Sequence, residues 1–141
     1  MIVLDTNVLS ELIRPVPSDA VLAWARAQDP DAIFTTTICE AALLLGVAML
    51  PEGRHRAALG RATEAMLGTV LAGRVLPFDR TAAVAYAAWA ADRRRAGRLV
   101  GTADLQIAAI ARARGAAAIA TRNLTDFAGC GVALIDPWVA G

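Results

Sequence analysis

Met1-Ile2-Val3-Leu4-Asp5-Thr6-Asn7-Val8-Leu9-Ser10-Glu11-Leu12 opens the chain. Ile2, Val3 and Leu4 form an apolar run that reads as a short buried strand, and the run stops at a carboxylate with Thr6 and Asn7 behind it. From Thr6 the apolar spacing changes. Val8, Leu9, Leu12 and Ile13 share one face of a helix running from Thr6 to Arg14, which Pro15 and Pro17 end. A strand that passes through an aspartate into a helix is the first half of a βα unit. In an open parallel sheet that aspartate sits where ligands bind, beyond the carboxyl ends of the strands.

The same alternation continues along the chain. Ser18 is read as the cap of a second helix carrying Val21, Leu22 and Trp24. Asp31 to Thr36 fits a second strand, followed by an apolar helix from about Thr37 to Met49. After Pro51 and Gly53 comes a more polar helical segment, Arg54 to Leu71, and Arg74 to Asp79 reads as a third strand. Thr81 to Arg95 is an alanine-rich helix ending in a run of arginines. Thr102 is read as the cap of a further helix that stops at Gly115. Ala116 to Thr121 and Val132 to Asp136 complete five strands. Strands separated by helices imply an α/β fold with a mostly parallel five-stranded sheet.

The 141 residues suit one domain over residues 1–141, large enough to bury roughly two-thirds of its unfolded surface. With 57% hydrophobic residues and a mean hydropathy of +0.49 the chain is not disordered. No apolar run reaches the roughly 18 residues of a membrane span. The apolar start is cut by Asp5 and has no basic residue ahead of it, unlike a secretory signal, so a cytoplasmic location is expected. Cys39 and Cys130 stand far apart and read as reduced core thiols, not a disulfide or zinc framework. Net charge is +1, and all 14 basic residues are arginine. The lack of lysine excludes the Walker phosphate loop and receiver or phosphatase sites built around a lysine.

Four acidic residues fall at or near places where loops lead into helices: Asp5, Glu40, Asp104 and Asp126. Each has a structural alternative. Asp5 suits an N-cap, Thr37 to Glu40 a capping box, Asp104 the positive end of a helix dipole, and Asp126 a turn with Asn123. Gathered in one cleft they need a counter-ion, because two carboxylates about 4 Å apart repel by about 4 kcal/mol at an effective dielectric of 20. The one histidine, His55, lies in the polar segment. A hard divalent cation, Mg²⁺ or Mn²⁺, is the natural partner, and such a centre suits nucleolytic attack on a phosphodiester.

Four stretches, IVLDTNVLSEL (2–12), TTTICEAALLLGV (35–47), GTADLQIAAIA (101–111) and ATRNLTDFAGCGVALIDPW (120–138), resemble in order the motifs of PIN-domain ribonucleases. The likeness is greatest to the VapC-type toxins of toxin–antitoxin pairs. It implies a three-layer, Rossmann-like α/β/α sandwich that cleaves RNA with Mg²⁺ or Mn²⁺, forms a homodimer, and is held inactive by a cognate antitoxin. By motif, Asp5, Glu40, Asp104 and Asp126 become the acidic quartet, with Asp5 and Asp104 as direct metal ligands. Asn7, Thr121 and Asn123 orient carboxylates or water, while Glu40 and Asp126 reach the ion through water or help to activate the nucleophile. The chain departs from the pattern in one region. Cys39 stands where a hydroxyl residue is common, and Ala42 and Leu45 stand where a glutamate and a tyrosine are common. A non-catalytic module, docking a regulatory protein or basic peptide in the acidic pocket, is the alternative.

Arg93, Arg94, Arg95 and Arg98 form the densest basic cluster, read either as a solvated helix end or as a phosphate-binding rim for RNA. Trp24, Trp89 and Trp138 are read as packing residues, and Cys39 as a buried thiol with no histidine partner. The alanines of the last two long helices permit close helix–helix approach.

Overall fold

The computed structural model describes residues 1–140. Five strands, β1 (Ile2–Leu4), β2 (Ile33–Thr36), β3 (Val75–Leu76), β4 (Ala118–Ala120) and β5 (Ala133–Ile135), form one sheet in the order β3-β2-β1-β4-β5. Every neighbouring pair is parallel, and the register places Val3 beside both Phe34 and Ile119. Seven helices connect them: α1 (Thr6–Leu12), α2 (Asp19–Arg26), α3 (Thr37–Ala48), α4 (Arg54–Ala65), α5 (Arg80–Arg95), α6 (Thr102–Ala113) and α7 (Leu124–Phe127). Right-handed crossovers put α1 to α4 on one face of the sheet and α5 to α7 on the other, giving the expected α/β/α sandwich. The chain runs outward in one direction from β1 and in the opposite direction from β4. The boundary between these two strands is therefore the topological switch point, where a cleft opens.

Burial explains why the central strands are apolar throughout. Val3, Leu4 and Ile119 are closed off from both sides, and Val8, Leu9, Val21, Ile110 and Phe127 complete the core around them. Each such side chain contributes roughly 1.5–3 kcal/mol by leaving water. The alanines of α5 and α6 are used within the chain, because these two helices pack on each other.

Several boundaries differ from the sequence reading. The first strand stops at Leu4, because Asp5 takes the N-cap position of α1. Ser18 occupies the N-cap of α2 without a side-chain cap bond; its N–H instead donates to Glu11 Oε1 at 2.8 Å. Thr36, not Thr37, caps α3 by accepting from the Cys39 N–H at 3.2 Å, so Glu40 falls outside a capping box. Asp31 belongs to a short 3₁₀ turn (Pro30–Ala32) ahead of β2. The segment after Gly53 splits into α4 and a π-helical turn (Met66–Val70), and β3 holds only two residues. Gly101, not Thr102, precedes α6. Gly115 does end that helix: at φ 65° it lets the Ala116 N–H reach back to the Ala111 carbonyl at 2.9 Å. No helix among the described residues is long and apolar enough to cross a membrane.

Candidate active site

The groove at the switch point holds about 570 Å³, and its walls include Asp5, Asn7, Glu11, Asp104, Arg122 and Trp138. Asp5 is 4% exposed and fixed on both oxygens. Its Oδ1 accepts from the Thr6 N–H at 2.7 Å, and its Oδ2 accepts from the Thr121 hydroxyl at 2.7 Å. Burial raises the pKa of this carboxyl, and the bonds from Thr121 and Thr6 work against that rise.

Thr121 follows β4, which pairs with β1, and is fully buried. While donating to Asp5 its oxygen accepts from the Asn123 N–H at 2.9 Å and from Asn7 Nδ2 at 3.4 Å, which uses its one donor and both lone pairs. Asn7 closes the loop by accepting the Arg122 N–H on Oδ1 at 3.3 Å. Asn123 then reaches two acids at once, its Nδ2 donating to Asp104 Oδ2 at 3.2 Å and to Asp126 Oδ2 at 2.6 Å. A hydrogen-bonded chain thus runs from Asp5 through Thr121 and Asn123 to Asp104 and Asp126.

Asp104 lies in the first turn of α6 and is half-buried. Its pKa is pushed up from 3.8 to about 6, first by burial and then by the negative charges of Asp5 and Asp126. Among the described residues no arginine forms an ion pair with Asp5, Asp104 or Asp126. The three aspartates therefore concentrate negative charge with no protein cation paired to them.

Glu40 does not join this group, contrary to the four-acid expectation. Its side chain makes no hydrogen bond among the described residues, and the wall of the groove on α3 is made by Ile38 and Ala42. At 100° per residue, Glu40 lies roughly 200° around the helix from Ile38, so that its side chain leaves from the far side. Nor do three acidic, histidine or cysteine side chains among the described residues already stand at mutual metal-binding positions. Asp126 is placed by α7, a one-turn helix in a segment read from sequence as a turn.

The basic cluster also divides. Arg93 is 5% exposed, lies 4.7 Å over the Trp89 ring and donates from Nη2 to the Ala128 carbonyl. Its guanidinium braces α5 against the loop after α7, so it does not belong to a solvent-facing rim. Arg94, Arg95 and Arg98 are exposed. Cys39 is fully buried, and burial pushes its thiol pKa up, as fits a packed side chain. Trp24 and Trp89 are buried, whereas Trp138 faces the groove under Arg122 at 4.6 Å. Arg122 and Trp138 are thus groove residues that their residue types alone did not reveal. The signal for the first was its place between Thr121 and Asn123.

The PIN domain model matches residues 2–128. The chain is 43% identical over 138 residues to VapC ribonuclease Y4jK of Sinorhizobium fredii, covering 98% of each protein. The structure of FitAcB from Neisseria gonorrhoeae superposes with a TM-score of 0.86 at 36% identity, over 99% of both chains. VapBC-5 from Mycobacterium tuberculosis, of the VapBC family of toxin–antitoxin systems, superposes with a TM-score of 0.70 at 28% identity over 94% of this chain and 95% of that one. With its groove at the β1/β4 switch point and these matches along nearly its whole length, the chain belongs to the PIN-domain family, among its VapC-type members.

Proposed function

We propose that this protein is a metal-dependent endoribonuclease, the toxin of a toxin–antitoxin pair, and that it cuts RNA phosphodiester bonds in the groove between β1 and β4. One observation carries the reading: Asp5, Asp104 and Asp126 are tied together through Thr121 and Asn123 with no cation of the protein among them. The ribonuclease and toxin–antitoxin roles of the relatives support it.

The donor set fits a hard divalent cation. It consists of carboxylate oxygens, and burial, together with the charges of Asp5 and Asp126, raises the Asp104 pKa to about 6, a penalty a cation would relieve. Asp5 and Asp104 would hold Mg²⁺ or Mn²⁺, which supplies charge neutralisation at the phosphate and a bound water of lowered pKa. The chain's own residues do the positioning. Thr121 fixes the Asp5 carboxylate, and Asn123 orients those of Asp104 and Asp126 by donating to both, so little reorganisation is left for the reaction. Asp126 acts through Asp104 and the water around it. Glu40, turned from the groove, falls outside the ligand set.

A cognate antitoxin and a second copy of the chain are the protein partners in this reading, and an RNA substrate places the work in the cytoplasm. Leu44 and Leu45 on α3, Met49 at its C-terminal cap and Val84 on α5 are large apolar side chains left in water, as partner surfaces are.

Incubating the purified protein with total RNA in Mg²⁺ or Mn²⁺, and again in EDTA, tests the assignment. Metal-stimulated cleavage that falls by about 10²-fold or more in folded Asp5→Asn and Asp104→Asn variants is expected. Absence of metal-stimulated cleavage by the unaltered protein, or full cleavage by both variants, refutes it.

A further inference from the structure

We infer that Arg122, lying over the Trp138 ring beside the acidic groove, is an RNA-backbone subsite that takes a phosphate next to the one being cut. The inference rests on the ribonuclease reading above and adds the element that reading lacks, a protein cation for the substrate. A polyanion entering a groove walled by Asp5, Glu11 and Asp104 meets repulsion that one bound metal ion relieves only at the cut phosphate. Two arginines also line the groove, Arg14 and Arg122. Arg14 is engaged, its Nη1 lying 3.1 Å from Glu11 Oε2. Arg122 makes no ion pair and no side-chain hydrogen bond among the described residues, and it is exposed.

Its placement is nevertheless set from three sides. The Arg122 N–H donates to Asn7 Oδ1 at 3.3 Å, and its neighbours Thr121 and Asn123 are anchored to Asp5 and to Asp104 with Asp126. The guanidinium carbon lies 4.6 Å from the centre of the Trp138 ring, and the Trp138 backbone is held by its main-chain N–H donating to Asp136 Oδ1 at 2.9 Å. The ring restrains the guanidinium while none of its N–H groups has a protein partner among the described residues, so they stay free for a fork-like match to two phosphate oxygens. A preordered fork loses less freedom on binding than a loose side chain, which favours this arginine over Arg94, Arg95 and Arg98 as the substrate clamp.

The test compares the unaltered protein with Arg122→Ala, Arg122→Lys and Trp138→Ala, each first checked by thermal melting. Two measurements are made: KM and kcat for cleavage across a salt series, and binding of a labelled single-stranded RNA oligonucleotide in EDTA by fluorescence anisotropy. Arg122→Ala is expected to raise KM about tenfold with a smaller change in kcat, and to lower the salt slope of RNA binding by roughly 0.7, the loss of one phosphate contact. Arg122→Lys should retain the slope but not the full affinity, and Trp138→Ala should raise KM less than Arg122→Ala does. KM and salt slope unchanged in Arg122→Ala overturn the inference, as does a loss of binding fully explained by a lowered melting temperature. Should the unaltered protein fail to cleave RNA with either metal, the ribonuclease reading falls instead, and the EDTA binding series still decides whether Arg122 contacts RNA.

Discussion

The Thr121 hydroxyl donates to Asp5 Oδ2 at 2.7 Å across the junction of β1 and β4, although the two residues are 116 positions apart in sequence. The bond joins the ends of two neighbouring strands, so the position of the Asp5 carboxylate is set by the sheet and not by a mobile loop. Replacing Thr121 by valine keeps the shape and removes both the donor and the two lone pairs that hold Asn7 and Asn123. Thr121→Val should weaken metal affinity by about 10–100-fold, and Thr121→Ser should keep most of it. Calorimetric titration of Mn²⁺ into each variant measures this; equal affinity for valine and threonine would remove Thr121 from the site.

Asn123 donates to both Asp104 and Asp126, whose carboxyls also lie within hydrogen-bonding reach of each other. Asn123→Asp exchanges that shared donor for a further negative charge beside Asp104 and Asp126. In EDTA the variant should melt well below the unaltered protein, and divalent metal should restore more of the difference than an equal ionic strength of NaCl. A variant that melts alike with and without metal would show that the acids do not share a cation.

Ala42 lines the groove from α3 while Glu40 does not. The position is exposed and next to Ile38 on the wall, so a longer acidic side chain has room there. Ala42→Glu should place a further oxygen donor beside Asp5 and Asp104 and tighten Mn²⁺ binding by about tenfold, the usual scale for a change of one group at a metal site. Glu40→Gln should leave the affinity within twofold. A reversed pattern, loss in Glu40→Gln and no gain in Ala42→Glu, would place Glu40 in the groove.

The parallel sheet was legible in the sequence because its strands are buried on both sides and read as short apolar runs between amphipathic helices. Asp5 was legible because it sits where such a run gives way to a helix, and Asp104 because it opens the helix that leads into β4. The role of Glu40 was not, since motif spacing records order along the chain, whereas the 100° step of a helix decides which of Ile38, Glu40 and Ala42 meets the cleft. Arg93 was misread for a related reason: a run of arginines at a helix end looks solvated, yet one of them turns inward onto Trp89. The approach of Trp138 to Arg122 joins β5 to the loop after β4, a contact that no local pattern encodes.

Asp104 gives the metal-free protein a defined pH dependence. With its pKa raised from 3.8 to about 6, the folded state binds more protons than the unfolded state between these values. Stability from this group is therefore complete below about pH 4, falls as pH rises through the window, and stays lowered above pH 6. Asp104→Asn removes the penalty. In EDTA it should melt a few degrees above the unaltered protein at pH 7, and the difference should vanish toward pH 4. Metal affinity of the unaltered protein should also fall below pH 6, as protons compete for the carboxylate. A difference in melting temperature that does not vary with pH would contradict the raised pKa.

Arg93 separates structural from substrate-facing arginines. It packs on Trp89, and Gly129, at φ 77°, lies so close that an added Cβ would stand 3.2 Å from Arg93 Nη2. One guanidinium nitrogen, Nη1, is buried without a hydrogen-bond partner, so the side chain serves packing at an electrostatic cost. Arg93→Ala should cost about 2–3 kcal/mol of stability while leaving the salt slope of RNA binding unchanged. The triple variant Arg94→Ala, Arg95→Ala and Arg98→Ala should behave in the opposite way, stable to within about 1 kcal/mol and less steeply salt-dependent if these exposed side chains form an outer rim for RNA. Chemical denaturation and the anisotropy series read the two quantities separately; a reduced slope in a fully folded Arg93→Ala variant would return Arg93 to the RNA-binding surface.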